Sequence, residues 1–490
     1  MLNNQGIVMA LKVYNYLDRE LQRFKPLRPE HVSLYACGPT VYDHAHLGHA
    51  KTYVAMDVIV RYLRYRGYKV RYVRNLTDVG HLLDTGEDRI SRGARRERVE
   101  PMELVETYIN SFNDDMDALG VVRPNITPRA TCHVLEIIVW VEDLLNHGYA
   151  YETGGNVYFS VEKFPEYGKL SRRQVDEQQA GARVGVRAEK RHPADFALWK
   201  RADPEHILRW PSPWGEGYPG WHIECSVMAT KYLGETFDIH GGGLENIFPH
   251  NECEIAQAEA RNDAPFANYW LLVGSLTVNG VKMSKSLGNF LTIKDALSLY
   301  SAEAIRYFIL SSHYRGPVDF SRDALQAAQR GVGRLHNTVR KLRYAMKDAA
   351  SAAGTAVLAQ VGSLDDYRDE FQAAMDDDFN TPQALATLFE FVKEVNRHLD
   401  ENPRQAMGTL AAMDRIFRDL GGRVLGIIPD DLEEREGGPA VAGLVEFLLE
   451  LRQQAREARE WGRADAIRNR LAESGILIED GPDDTTWRLA

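Results

Sequence analysis

Val32–Val41 (VSLYACGPTV), Leu47–Arg66 (LGHAKTYVAMDVIVRYLRYR) and Tyr68–Val73 (YKVRYV) are the stretches on which the fold turns. The first is an apolar run ended by Gly38 and Pro39. The second places Ala50, Val54, Val58 and Leu63 at helical spacing, and Gly67 stops it before an alternating strand. Strand, loop, helix and strand in this order predict a right-handed βαβ crossover, the first half of an open parallel sheet in an α/β fold.

Working outward, Trp270–Val278 reads as a second apolar segment that turns at Asn279-Gly280, a dipeptide suited to a type I′ hairpin. The polar string Lys282–Asn289 after it is expected to be an exposed loop. Between the two α/β segments, Tyr151–Gly220 is rich in Gly, Pro, Arg and aromatics without long helical periodicity, and reads as an insertion. After Ser321 the pattern becomes helical over Ala324–Ala349, Ala384–Leu399 and Arg404–Leu420, which predicts a helical bundle. The acidic stretch Asp430–Gly438 marks a linker. Beyond it, helices over Val441–Trp461 and Ala464–Ser474 and strands over Ile476–Glu479 and Thr485–Leu489 form a small terminal module.

The 490 residues, 44% hydrophobic and 26% charged, fit an ordinary multidomain protein and exclude a disulfide-stapled miniprotein. No apolar run reaches the roughly 18 residues a membrane helix needs, and Met1–Ala10 lacks the pattern of a signal peptide, so a cytoplasmic protein is expected with no membrane partner. Cys37, Cys132, Cys225 and Cys253 are too few and too dispersed for a secreted framework; they read as reduced thiols or scattered metal ligands.

Net charge is −11, but from Tyr344 onward 16 Lys/Arg stand against 29 Asp/Glu, so the excess acid lies in the last third. Two basic stretches carry no acid: Arg61, Arg64, Arg66, Lys69, Arg71 and Arg74, then Arg330, Arg334, Arg340, Lys341 and Arg343. Each is either a solvated face or a track for a phosphate backbone.

Two short strings carry chemistry. His46-Leu47-Gly48-His49 sits where the first strand hands over to its helix, where imidazoles, a glycine and the positive end of the helix dipole suit phosphates; alone it is also a pair of surface histidines. Lys282-Met283-Ser284-Lys285-Ser286 places two ammonium groups on the loop after the hairpin, suited to the β- and γ-phosphates of ATP, or is simply a basic loop. Together on one α/β frame they resemble the HIGH and KMSKS signatures of class I aminoacyl-tRNA synthetases. That resemblance implies a Rossmann-type catalytic domain with an inserted connective segment, then a helical bundle and a C-terminal anticodon-binding module. The expected division is 1–150 and 221–320 for the two catalytic halves, 151–220 for the insertion, 321–430 for the bundle and 440–490 for the module. His46, Gly48, His49, Lys282, Ser284 and Lys285 would bind ATP with its Mg²⁺, and His46, His49, Lys282 and Lys285 would carry catalysis.

His250 and Glu254 lie four apart on a helical segment and share a face, and Cys37 and Cys225 add two thiols; the four make an acceptable zinc set, although buried structural cysteines are equally ordinary. Tyr35–Asp43, Gly220–Ser226, Asp238–Gly243 and Phe248–Gln257 are similar to cysteinyl-tRNA synthetases. In that family the positions of Cys37, Cys225, His250 and Glu254 bind one zinc per chain, to which the substrate thiol adds, and Thr40 and Trp221 would touch substrate. Two departures stand out. Asn251 and Cys253 replace the His and Asn of the usual Pro-His-His-x-Asn-Glu; helix geometry leaves Cys253 open as a competing ligand, while the resemblance favours Glu254 and a packed, spectator Cys253 is the alternative. Val79–Arg89 also replaces the usual Asp-Asp-Lys.

Arg456, Trp461, Asp465 and Asp480 match family positions that contact the anticodon; on residue type alone Trp461 would be core and the acids a solvated face. The expected activity is ATP-dependent joining of L-cysteine to tRNA-Cys, by a monomer. The rivals are a small-molecule cysteine ligase of the mycothiol pathway type, a zinc hydrolase using His250, Glu252 and Glu254, and a non-catalytic RNA-binding relative.

Overall fold

The computed structural model describes residues 10–80, 88–173, 189–204, 206–283, 289–351, 364–401, 406–432, 439–480 and 485–489. Strands β1 (Lys12–Asn15) and β2 (Glu20–Arg23) form an antiparallel pair. Next, β3 (His31–Ala36), α1 (Leu47–Tyr65) and β4 (Lys69–Arg74) make the expected crossover, with β3 parallel to β4 from His31 opposite Lys69 to Ala36 opposite Arg74. Ala50, Val54, Val58 and Leu63 of α1 are all buried.

Helices α2 (Arg89–Glu97), α3 (Pro101–Ala118) and α4 (Val134–Asn146) follow, then an antiparallel sheet of β5 (Ala150–Thr153), β6 (Asn156–Phe159), β7 (Phe196–Arg201) and β8 (Gly217–Pro219) in sequential order. The chain returns to the main sheet through α5 (Ile223–Leu233), β9 (Phe237–Gly243), α6 (Glu252–Asn262) and β10 (Ala267–Val273). That sheet runs β10-β9-β3-β4, entirely parallel. The chain leaves β3 toward β4 on one side and leaves β9 toward β10 on the other. The crevice beyond the carboxyl ends of β3 and β9 is therefore the switch point at which open α/β sheets bind ligands.

The apolar segment Trp270–Val278 is two strands in two sheets rather than one. β10 ends at Val273, and β11 (Leu276–Val278) joins β12 (Val281–Lys282) and, after α7 (Ile293–Leu297) and α8 (Ala302–Leu310), β13 (Val318–Phe320). The break falls at Gly274, where a Cβ would lie 2.3 Å from the Gly316 carbonyl oxygen, so only glycine lets the two backbones meet. Asn279 and Gly280 both have positive φ, 51° and 74°, as the type I′ turn requires.

A bundle follows: α9 (Arg322–Ser351), α10 (Leu364–Asp376), α11 (Thr381–Glu401) and α12 (Met407–Ile416), the last continued by a wide turn through Phe417–Val424. The acid-rich α10 escaped the sequence reading, although Leu364, Tyr367, Phe371, Ala374 and Met375 lie at helical spacing on its core face. The chain ends in α13 (Pro439–Glu457), α14 (Trp461–Glu473), β14 (Ile476–Asp480) and β15 (Thr485–Leu489), around a small separate core of Val445, Leu471 and Ile476. Here the boundary differs from expectation: α13 stops at Glu457, and Trp461 opens the next helix after Arg459 takes a left-handed φ of 61°. Among the described residues no helix is long and apolar enough to cross a membrane.

One buried ion network ties the crossover helix to the bundle side. Asp57 of α1 accepts from Arg306 of α8 at 2.6 Å, from Arg61 at 2.8 Å and from the Val122 amide at 2.8 Å, while Arg306 also donates to the Leu425 and Leu119 carbonyls. With Arg306 fully enclosed, Asp57→Ala strands a buried guanidinium. The expected loss is about 3–5 kcal/mol of stability, read as a lower urea midpoint; an unchanged midpoint would show that the network contributes nothing net.

Candidate active site and metal centre

The His46–His49 turn is built as a reciprocal cap on α1. His46 Nδ1 accepts from the Gly48 amide at 3.1 Å, and His49 Nδ1 accepts from the His46 amide at 3.2 Å. Because both Nδ1 atoms accept, each neutral ring carries its proton on Nε2. The rings stack at 3.9 Å, and enclosure, then the neighbouring His46, push the His49 pKa down to about 3, so His49 is neutral at physiological pH. A Cβ at position 48 would lie 2.8 Å from the His46 ring, which explains the intervening glycine. The outcome is a pair of Nε2–H donors at the positive end of a 19-residue helix, a place for phosphate oxygens.

Of the second signature, Lys282 lies in β12, and Ser284 and Lys285 fall outside the described residues. Its flanks are informative. Met283 Cε comes within 3.7 Å of where a Gly48 Cβ would be, and the Phe290 ring meets His46 edge-on at 5.3 Å. Leu47 N donates to Leu291 O at 3.2 Å and Ile293 N to Ala45 O at 2.9 Å, a short antiparallel bridge. Both ends of the lysine-bearing segment thus rest on the histidine turn.

At the carboxyl end of β3, next to that turn, Cys37, Cys225, His250 and Glu254 converge. One ligand atom from each lies within 4.8 Å of all the others, and all four side chains are buried. Glu254 faces His250 Nε2 at 3.0 Å and His240 Nε2 at 2.8 Å, the Cys37 thiol reaches Glu254 Oε1 at 3.4 Å, and Asn251 Nδ2 donates to Glu254 Oε2 at 3.1 Å. Burial opposes ionisation of Glu254, but His240 and His250 outweigh it and hold the carboxyl well below its ordinary range. Burial also opposes a charged His250, and the Glu254 carboxylate overrides it and raises that pKa well above the usual imidazole value. A hydrogen bond from Cys225 holds the Cys37 thiol well below its usual range, whereas burial pushes Cys225 up. Two thiols, an imidazole and a carboxylate at such spacing fit a tetrahedral dication site of the zinc type.

Cys253 points elsewhere. Its sulfur sits 3.5 Å from the Tyr167 hydroxyl, and the adjacent Glu252 carboxylate accepts from the Gly168 and Ser171 amides. Cys253→Ser is therefore expected to leave metal content within about twofold of the parent, by atomic absorption; loss of the metal would make Cys253 a ligand. His240 was quoted in the sequence only as part of a motif; its place on Glu254, stacked 4.1 Å from Trp270, depends on the pairing of β9 with β10 and β3. Thr40 lies on the loop after β3, bridged to Thr77 by the Val41 amide at 3.1 Å. Trp221 lies 4.7 Å from the His250 ring. Of Val79–Arg89, residues 81–87 lie outside the described residues, and Asp88 caps α2.

In the terminal module Trp461 is 59% exposed, contrary to a core role, and Asp465 lies one turn on along the same exposed face of α14. Arg456 is half-buried on α13; Asp480 closes β14. The two basic stretches part company. In the first, Arg61 and Arg66 bind Asp57 and Asp376, and Arg74 is buried between Tyr53 and Phe112. In the second, Arg343 pairs with Asp414, Arg340 donates to Asn337 and Arg334 lies over the Phe389 ring.

Comparison with known proteins matches residues 23–330 to the tRNA synthetases class I (C) catalytic domain, 370–429 to the DALR domain and 439–488 to the cysteinyl-tRNA ligase anticodon binding domain. The cysteine–tRNA ligase of Chlorobaculum tepidum is 50% identical, covering 98% of this chain and 99% of its own length. That of Thermus thermophilus is 49% identical, covering 98% and 100%. In fold, a methionyl-tRNA synthetase of Mycobacterium tuberculosis solved with methionyl-adenylate superposes with a TM-score of 0.59 at 15% identity, over 82% of this chain and 92% of its own.

Proposed function

The chain belongs to the cysteine–tRNA ligase family, and on that premise we propose that Cys37, Cys225, His250 and Glu254 hold one zinc ion that selects the substrate thiol. The activity is a class I ligation: ATP activates cysteine, and the aminoacyl group passes to tRNA. The observation that carries the metal reading is the convergence of four buried donors at the switch point beside the histidine turn. When bound, zinc favours a thiolate over a hydroxyl, so a thiol is recognised where shape cannot separate cysteine from serine.

The remaining roles fall to the chain's own groups. The Nε2–H groups of His46 and His49 donate to ATP phosphates as the cysteine carboxylate attacks the α-phosphorus in line. Lys282 and Lys285 offset charge on the departing pyrophosphate, and Mg²⁺ accompanies ATP. Ser284 and the Gly48 backbone complete the nucleotide contacts, and Thr40 and Trp221 flank the amino acid. The terminal ribose 2′-hydroxyl of tRNA-Cys then takes the acyl group. Arg456, Trp461, Asp465 and Asp480 read the anticodon, with the exposed Trp461 ring offered to a splayed base. Unpaired cysteines fit a reducing cytoplasm, and a single chain holds every group the reading needs.

The anticodon-binding match over 439–488 argues against the small-molecule ligase, which has no use for it. The test pairs metal analysis with pyrophosphate exchange. One zinc per chain and exchange driven by cysteine at least about 10³-fold better than by serine are expected. A metal-free protein that still discriminates, or serine-driven exchange, would overturn the reading.

A further inference from the structure

Lys51 is a buried cation that the groups assigned above leave unused. It sits two residues beyond His49 on α1 and is 1% exposed. Its ammonium donates to two backbone carbonyls, Ser275 at 3.0 Å and Gly316 at 2.5 Å, and among the described residues no carboxylate pairs with it. Burial pushes its pKa down to about 8 against the opposing Glu245 carboxylate, so it stays charged near neutral pH. A methionine would fill the same space without a charge to desolvate, so packing alone does not call for lysine here.

The two carbonyls mark the place where the main sheet hands over to the hairpin. Ser275 lies between β10 and β11 and also accepts from the Val318 amide of β13 at 3.0 Å, and the Gly316 carbonyl is the one that meets Gly274. The residues before Gly316 are fixed from the other side: Tyr314 and Arg315 donate to the buried carboxylate of Asp378, between α10 and α11, at 2.9 and 2.5 Å. Lys51 therefore ties α1 to an anchored point. One turn earlier, on the same side of α1, the Leu47 amide holds Leu291. The catalytic helix thus grips the β11–β12 hairpin at its base and the segment that leaves it at its far flank.

Resting on the reading above, we propose that Lys51 is a positioning residue for adenylate formation. By holding the Ser275 and Gly316 carbonyls it sets the place of the β11–β12 hairpin, and with it the backbone of Lys282 opposite Thr277, relative to the His46–His49 turn. Lys51 touches no substrate and acts through the hairpin. A displacement of about 1 Å at reacting groups loses on the order of a hundredfold in rate, so the effect falls on the rate constant. Cysteine binding belongs to the separate cluster around Cys37 and is left alone.

The test uses full-length K51M, K51R, K282A and K51M/K282A, with zinc content, urea midpoint and the kcat and KM of cysteine-dependent pyrophosphate exchange measured for each. K51M is expected to lose about tenfold or more in kcat while KM for cysteine stays within about twofold, with parental zinc and midpoint. K51R keeps donors for both carbonyls and is expected within about threefold of the parent. Because Lys51 acts through the strand that bears Lys282, the double variant should be slower than the slower single variant by no more than about threefold. Parental kcat in K51M, zinc loss or a rise in KM that parallels the loss of kcat, K51R as slow as K51M, or a double variant slowed by the product of the two single effects would each overturn the proposal. K282A at the parental rate, or parent protein without cysteine-dependent exchange, would instead remove the functional reading on which it stands.

Discussion

Cys37→Ser is expected to strip the metal and to lower cysteine-dependent pyrophosphate exchange by more than about a hundredfold. Replacing groups that merely support a metal ligand already loses about 10–100-fold in affinity or activity, and Cys37 is a proposed ligand itself. A hydroxyl in its place stays protonated where the thiol is held well below its usual range, and it leaves Glu254 and the two imidazoles facing a neutral oxygen. Metal content by atomic absorption and exchange rate should fall together, and chelation of the parent followed by zinc should remove and restore the same activity. A Cys37→Ser protein with full zinc and parental exchange would dissolve the assignment. Glu254→Gln tests the opposite corner: it removes the charge that holds both His240 and His250 and should also release the metal.

Lys285→Ala is expected to lower adenylate formation at least about a hundredfold, close to 2.7 kcal/mol of lost transition-state stabilisation, with metal content unchanged. The argument rests on where the flanks of that segment lie. Met283 and Phe290 both contact the histidine turn, and the Leu291–Ile293 backbone is zipped to Ala45–Leu47. On the proposed reading, a cation between those flanks would offset the charge that grows on phosphates at the Nε2–H pair as pyrophosphate leaves. The loss should appear in the exchange rate constant and not in cysteine binding. Parental exchange would take Lys285 out of the reaction; parallel loss of zinc would make its role structural.

Much of the architecture could be read from local pattern. The 3.6-residue spacing of Ala50, Val54, Val58 and Leu63, the Gly67 stop and the Asn279-Gly280 turn became α1, its end and a type I′ hairpin, because each depends on the conformational preferences of a few adjacent residues. The split of Trp270–Val278 was not legible. It depends on the backbone at Gly316 approaching Gly274, and an apolar run reads alike whether it serves one sheet or two. Nor was the exposure of Trp461, because α13 stops earlier than its periodicity suggested and places the ring at a helix start.

By itself, then, the sequence determined which groups were available, which of them share a face within one helix or turn, and the family they resemble. Only the tertiary structure decided which groups meet. Cys37, just after β3, meets Cys225 because α5 packs against β3, and His240 of β9 reaches Glu254 on α6 across elements far apart in sequence. Cys253 turns to Tyr167, and Arg343 is spent on Asp414 while Arg330 stays in water. The physical reason is that spacing along a chain sets direction within an element, whereas contact between elements depends on strand order and packing, which involve residues hundreds of positions apart.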